Sequence, residues 1–441
     1  MNKQNIFKTL AAVVVILCGS FLTAQNNFNS PYSRYGIGEL NFNKVPYLSS
    51  MGGTSIGFRH PNFINISNPA SYSGMQKRTF LFDGGAFFTA KEMKTENISQ
   101  IQYNANISHL QFSFPAMPNW GFSFGVVPYS SVGYNLSDEA TLDSIGLVEY
   151  SYEGWGGLNN AYVGTGATLF KGFSVGINMN YYFGNIERVR IATFDTTGFT
   201  NTRLRNRYNI SDINFTTGIQ YSIRFKKKTE DTENAENAEK VPGDISLTLG
   251  FTAGNPKNLN TTENILAERI SGNSSYSIAR DTVWQLTDNK TSIRMPLSLG
   301  GGLFLQKDKR WMFGLDMEWQ KWSDFTFTEI TDSLKDSRRI SAGGCFTPKE
   351  KPVSTMLSRS TILWGVHYYQ NHLELKNTPL NQLGISFGIS MPIRQTGTTL
   401  QISLEMGKAG TTNSNLIEET YGKLRIGVSV TERWFYRRKY D

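Results

Sequence analysis

The chain has 441 residues, a formal net charge of +8, 18% charged and 13% aromatic residues, 41 glycines and two cysteines. Without a dense Lys/Arg patch this mild charge excludes a nucleic-acid surface, and two cysteines allow neither a disulfide framework nor a cysteine metal site. Mean hydropathy is −0.34, and no segment past residue 24 has the 18 consecutive apolar residues of a spanning helix. A membrane β-barrel, whose strands are apolar on one face only, stays allowed.

Lys3 and Lys8, the apolar run Leu10–Leu22 and Thr23-Ala24 ahead of Gln25 form the three regions of a secretory signal peptide over residues 1–24. A lipoprotein signal at Cys18 is the alternative, but Leu17 stands where a small residue is needed. Cleavage removes two lysines and no acids, lowering the charge from +8 to +6, and leaves Cys345 alone. Residues 25–77 read as an irregular leading segment containing MGGTSIGFRHPNFINISNPASYS, Met51–Ser73.

Fourteen strand-like segments follow: Arg78–Glu92, Gln100–Pro115, Gly121–Leu136, Asn159–Phe170, Phe173–Ile191, Asn209–Phe225, Asp244–Gly254, Val283–Gln306, Arg310–Thr328, Ser337–Thr347, Ser360–Leu375, Asn381–Ile393, Thr398–Lys408 and Tyr421–Arg437. Many alternate: Ile385, Phe387 and Ile389 share one face, and Leu400, Ile402, Leu404 and Met406 share another. The lengths suit a tilted bilayer crossing of about 9–11 residues rather than the ~5–6 of globular strands. MPNW, KG, KDKR and RQTG make short turns on the side of the chain termini. Ser137–Leu158, Ala192–Tyr208 and Asn255–Thr282 read as longer loops on the other side. Short periplasmic turns and long outer loops are the outer-membrane barrel pattern. Lys226–Lys240 reads as a charged, disordered periplasmic insertion or a docking tail, and Pro348–Arg359 is a second long periplasmic connector. The expected fold is an all-β transmembrane antiparallel barrel of about 14 strands over residues 78–441, closed because hydrocarbon leaves no edge satisfied. A soluble β-sandwich explains the alternation but not the strand length and the side-dependent loops.

The glycine pair of Met51-Gly52-Gly53, followed by Asn68-Pro69-Ala70 ahead of the first strand, resembles the N-terminal hatch of the FadL-type outer-membrane transporters of hydrophobic compounds. RMPLSLGGGL followed by DMEWQKWSDF, with Trp319 and Trp322-Ser323, is a second likeness. SPYSRYGIGEL and ERWFYRRKYD resemble FadL-like proteins of Bacteroidetes-type envelopes, a group that includes PorV-like accessory barrels. The resemblance implies fourteen strands, a leading segment (residues 25–77) folded into the lumen as a plug, and a third strand kinked inward beside a wall gap. Gly52, Gly53, Asn68, Pro69 and Ala70 are thereby the plug residues, and Pro128 with Gly125 marks the kink and lateral opening. Asn-Pro-Ala also serves as a turn into the first strand, and Pro128 also fits a simple bulge at the rim. Arg59-His60-Pro61 departs from the small and acidic residues usual in such transporters.

Trp311, Trp319, Trp322, Trp434, Phe435 and Tyr436 read as interfacial anchors, with Trp319 or Trp322 alternatively lining a ligand path. His60, His109, His367 and His372 form no metal pattern, and no nucleophile elbow or nucleotide loop is present. The expectation is therefore no enzyme, cofactor or metal site, in an exported outer-membrane protein. The partners are the bilayer, the barrel-assembly machinery during biogenesis and a hydrophobic small molecule. The alternative is an accessory barrel in a larger envelope complex, with periplasmic or outer-membrane protein partners.

Overall fold

The computed structural model describes residues 30–433 apart from 43–44, 144, 197, 226–244, 273–275, 308–309, 328–333, 349–356 and 394–396. The signal peptide, the Lys226–Lys240 insertion, most of the second long connector and the terminal Trp434-Phe435-Tyr436 lie outside the described residues.

The chain is a closed antiparallel barrel of 14 strands. They are β1 (Thr79–Lys94), β2 (Ser99–Met117), β3 (Trp120–Leu142), β4 (Gly146–Phe170), β5 (Phe173–Phe194), β6 (Thr202–Phe225), β7 (Ile245–Gly254 and Lys257–Gly272), β8 (Ser277–Met295 and Ser298–Lys307), β9 (Trp311–Gln320), β10 (Ser337–Phe346), β11 (Thr361–Gln370), β12 (Gln382–Pro392), β13 (Thr399–Gly410) and β14 (Glu418–Arg433). Each pairs with its neighbour, and β1 closes the ring on β14 from Thr79↔Arg433 to Lys94↔Glu418. β7 and β8 are interrupted side by side at Pro256 and Pro296, where Ser298 pairs with Gly254 below and Met295 with Lys257 above. Proline donates nothing to the ladder, so the two strands break at one level.

Three outer loops expected from the sequence are instead strand. Ser137–Leu158, Ala192–Tyr208 and Asn255–Thr282 fall largely within β3–β4, β5–β6 and β7–β8, which turn around only near residues 142–146, 194–202 and 272–277. The reason is a reversal of polarity along each strand. In β6, Ile213, Phe215, Ile219 and Tyr221 point outward and are 37–43% exposed, with the buried Asn214 and Gln220 between them. Farther up the same strand Arg207, Asn209 and Ser211 are the exposed residues, and Tyr208 and Ile210 are buried. The lower part meets lipid, so its apolar face is outside; the upper part meets water, so its apolar face is inside. A search for lipid-facing alternation loses the strand where the phase flips.

The upper apolar face builds a cap. Ile37, Val132, Tyr134, Leu158, Ile186, Tyr208, Ile210, Leu259, Ile293, Trp322, Phe325 and Leu380 belong to one buried cluster at the outer end of the lumen. A second cluster, Tyr47, Leu48, Met51 and Phe58 with Phe304, Met312, Cys345 and Leu363, lies toward the periplasmic turns. Between them the lumen is polar.

Arginine placed at Phe215 is expected to destabilise the barrel by about 2–4 kcal/mol, and at Ser211 by about 0–1 kcal/mol. Urea unfolding in lipid vesicles measures both, and equal costs would mean the polarity does not reverse between them.

Candidate functional site

The leading segment touches strands around the whole ring, which only a segment inside the lumen can do. Helix Pro46–Ser49 ends at Gly52 and Gly53, both with positive φ (68° and 86°). A side chain on Gly52 would be strained by that backbone and would meet the Val366 carbonyl at 2.6 Å. Gly52 N–H donates to Ser386 Oγ (2.9 Å), and its carbonyl accepts from Arg339 (2.9 Å). Farther on, Ser55 and Ile56 N–H groups donate to the buried Asp316 carboxylate at 2.5 and 2.8 Å.

Asn68 caps the 3-10 helix Pro69–Gly74 by accepting from Ala70 N–H at 3.1 Å. Its amide donates to the carbonyls of Ile56 (2.8 Å) and Ile219 (3.2 Å), tying the segment to itself and to β6. Asn68-Pro69-Ala70 rests on three wall glycines that the register aligns, Gly166↔Gly176↔Gly218. A Cβ on these would meet Pro69 O at 2.2 Å, Pro69 C at 2.4 Å and Asn68 Oδ1 at 2.1 Å. A second aligned pair, Gly343↔Gly365, lies under Met51 and Gly52, with clashes of 2.2 and 2.0 Å. These wall glycines were not found from the sequence. Their signal was glycine at inward positions of strands whose other inward residues are polar. Arg59, the departure noted above, clamps the segment to β4 and β5 through Ser174 Oγ (2.8 Å) and Thr168 Oγ1 (3.2 Å).

The wall forks above Gly125. β2 and β3 pair from Met117↔Trp120 to Leu110↔Val126, with Gly125 opposite Gln111 inside the closed part. Beyond that the two strands no longer pair with each other, and β2 stays paired with β1 and β3 with β4. Ser108 is skipped in the β1–β2 register and Tyr129, next to Pro128, in the β3–β4 register. Each extra residue bends its strand, one on either side of the fork. The leading segment covers the freed edge of β3: Glu39 and Leu40 pair with Ser131 and Ser130, and Asn41 N–H donates to Tyr129 O at 2.9 Å. Among the described residues the upper edge of β2 has no ladder partner.

The three tryptophans separate. Trp311 shares the outward face of β9 with Phe313, Leu315 and Met317 and packs on Phe346 at 4.3 Å. Trp319 has the same parity and is half-buried. Trp322 is no interfacial anchor: it is fully buried in the outer cap, stacked on His372 at 4.4 Å and donating to Gln320 at 2.7 Å. Past Gln320 the strand breaks into a 3-10 turn, which swings Trp322 inward. Burial also pushes the His372 imidazole, in the β11–β12 connector, down to about 3.

A polar cavity of about 100 Å³ lies between the two apolar layers, lined by Glu39, Lys91, His367, Glu405, Lys423 and Arg425 among others. Lys91 pairs with Glu39 (2.9 Å) and Glu419 (3.0 Å), and Arg425 with Glu405 (2.7 Å). Two smaller cavities, about 30 and 10 Å³, reach the fork at Ser131 and at Ser108 and Pro128. No group of three or more potential metal ligands comes together among the described residues.

This architecture is that of the FadL-type outer-membrane barrels. A Pseudomonas aeruginosa FadL homologue matches with TM-score 0.57 and 11% identity over 90% of this chain and 99% of its own. The P. putida toluene transporter TodX matches at 0.55 and 15% (90% and 100% covered), and the Ralstonia pickettii toluene transporter TbuX at 0.55 and 12% (88% and 97% covered). No curated protein matches the sequence. The BamG family model matches residues 6–441, and the chain belongs to the BamG family.

Gly218→Val is expected to lower stability by about 1–3 kcal/mol and Asn68→Ala by about 2 kcal/mol. Gly301→Val, with nothing within 4 Å of its Cβ, is the neutral control in the same thermal-unfolding series. His372 is neutral in the folded chain down to about pH 3, while an unfolded imidazole protonates near about 6.5. Its contribution to stability is therefore present above about pH 6.5 and lost as pH falls toward 3. His372→Gln should flatten that part of the pH profile, and an unchanged profile would show that His372 does not set it.

Proposed function

We propose that this barrel binds a hydrophobic or amphiphilic small molecule in its lumen and exchanges it sideways with the outer leaflet through the β2–β3 fork. The supporting observation is the ladder that stops at Leu110↔Val126 while both strands continue upward. In this reading Gly52, Gly53, Asn68, Pro69 and Ala70 hold residues 30–77 as a hatch against vertical passage. Pro128 and Gly125 set where the wall opens. The toluene transporters named in the structural comparison lend the substrate class. The charged lumen directs it toward amphiphiles.

A second reading has one observation behind it. The BamG family match spans nearly the whole chain, and the family name points to barrel-assembly machinery as a partner. Here the chain is an accessory barrel of an envelope complex, and the lumen holds a structural ligand rather than a cargo.

Benzoylphenylalanine placed at Gln102, an inward residue of β2 that lines the cavity behind the fork, tests the route in cells. Ultraviolet light should give a lipid adduct there and none at Thr248, a buried inward residue of β7 on the closed wall. Equal lipid labelling at both positions, or none at either, would remove the fork as an exchange route. A stoichiometric protein adduct at the outward-facing Ile107 would favour the accessory reading.

A further inference from the structure

Beyond the closed part of the wall, strand edges are protected in two ways. β3 hands its edge to the leading segment: besides Glu39, Leu40 and Asn41, Ser30 N–H donates to Gly133 O (3.2 Å), and Gly133 N–H donates to Ser33 Oγ (3.0 Å). The upper part of β8 pairs with β7 from Ser277↔Gly272 to Met295↔Lys257. On its other side, among the described residues, only Ile293 and Arg294 find ladder partners, in Phe327 and Thr326. Three register shifts break it, and Arg280, Asp281, Asp288 and Lys290 lie along it. Bulges and charges keep an open edge from pairing with another chain.

The freed edge of β2 is protected in neither way. Residues 99–107 pair with residues 86–94 of β1 without a register shift and include no charged side chain. Ile101, Tyr103 and Ile107 are 56–64% exposed on its outer face. The edge also lies at membrane depth. Register rows run from Ile107 through Ala86 to Ile426 and from Ala105 through Phe88 to Leu424, and Phe88, Leu424 and Ile426 point outward into lipid. A long, uncharged, unbroken edge in hydrocarbon is a template for another strand.

The surroundings define that strand. Pairing around this wall is antiparallel, and β2 runs from the outer end toward the periplasmic turn, so an added strand runs outward. Its side chains must alternate, apolar toward lipid and polar beside Gln102. A second copy does not fit. Two copies in one membrane share an orientation, and with strands tilted about 35–45° their β2 edges would cross at roughly 70–90° over a two-fold axis normal to the bilayer. A complete barrel does not fit either, because closure leaves it no free edge. In a barrel not yet closed, with both chain ends in the periplasm, the first strand runs outward and the last runs inward. We infer that the freed edge of β2 receives the first strand of another, still open outer-membrane barrel and extends the ladder along residues 99–107. This rests on the accessory-barrel reading and gives its contact element.

The test is disulfide formation in cells between the full chain carrying Ile107→Cys and an eight-stranded outer-membrane barrel that lacks its last strand and bears one cysteine at mid-depth of its first. The chain's own Cys345 is buried. The adduct should exceed, by at least about tenfold, that formed with the complete eight-stranded barrel or with one lacking its first strand and bearing the cysteine on its second, because several backbone hydrogen bonds are at stake. Tyr103→Lys should cut the adduct about tenfold, and Val283→Lys on the upper part of β8 should leave it within about twofold. Heat-modifiable gel mobility checks that each variant is folded; if Tyr103→Lys is not, Ile101→Lys, nearer the outer interface, takes its place. Equal adducts with the open and complete barrels would mean proximity alone and overturn the strand-pairing inference. An Ile107→Cys homodimer as the main product would overturn it too and make a second copy the occupant. In both cases a stoichiometric partner protein at Ile107 would leave the accessory reading standing. A folded chain that gives no protein adduct at Ile107 overturns both.

Discussion

Hydrocarbon offers no hydrogen bonds, and most of this structure follows from that. Every backbone N–H and C=O at membrane depth must find a partner within the protein, which drives the sheet to close. β1 meets β14 along its whole length for this reason. The same solvent reverses the usual side-chain rule. Apolar residues face out, so the lumen is left with Ser, Asn, Gln, Asp and Arg, groups that need hydrogen-bond partners of their own. The leading segment supplies many of them. Its amides reach Asp316 and Ser386, and its carbonyls accept from Arg339 and Gln220. Irregular backbone can exist at this depth because the wall shields it from lipid.

Filling a lumen with irregular chain requires a fitted wall, and the fit is made by leaving side chains out. Gly166, Gly176 and Gly218 form a flat tread across three strands, on which Pro69 and Asn68 sit. Gly343 and Gly365 do the same under Met51 and Gly52. The polar anchors then act at short range: Asn68 reaches both its own segment and the carbonyl of Ile219. Leading segment and wall are therefore complementary at backbone level. That explains why the motif residues in the leading segment are small or bear a short amide.

The membrane-spanning half of each strand was legible because the bilayer imposes a simple code. Ile385, Phe387 and the Leu404–Met406 alternation can face only lipid, and fourteen such segments can be counted without knowing their neighbours. Asn68-Pro69-Ala70 was legible through its local chemistry, a short amide before a fixed φ. The outer extensions were not, because above the membrane the apolar phase moves to the inner face. Tyr208 and Leu259 therefore looked like residues of loops. The wall glycines were silent because their meaning appears only once strands are in register. Trp311 and Trp322 look alike in sequence and part company at a strand break. The charged cavity joins residues from β1, β11 and β14, a closure no local pattern announces.

At the fork the membrane's demand on the backbone is met unevenly, and the unevenness has a direction. β3 keeps its freed edge satisfied by turning it onto Glu39, Leu40 and Asn41 of the leading segment. β2 does not. Its Ser99–Ile107 stretch carries exposed Ile101, Tyr103 and Ile107 beside an open ladder edge. The two bulges, at Ser108 and Tyr129, show that the separation is built from both sides and is not a fraying of one strand. Behind it lie the polar cavities bordered by Lys423. A polar chamber thus lies behind an apolar outer surface at this edge.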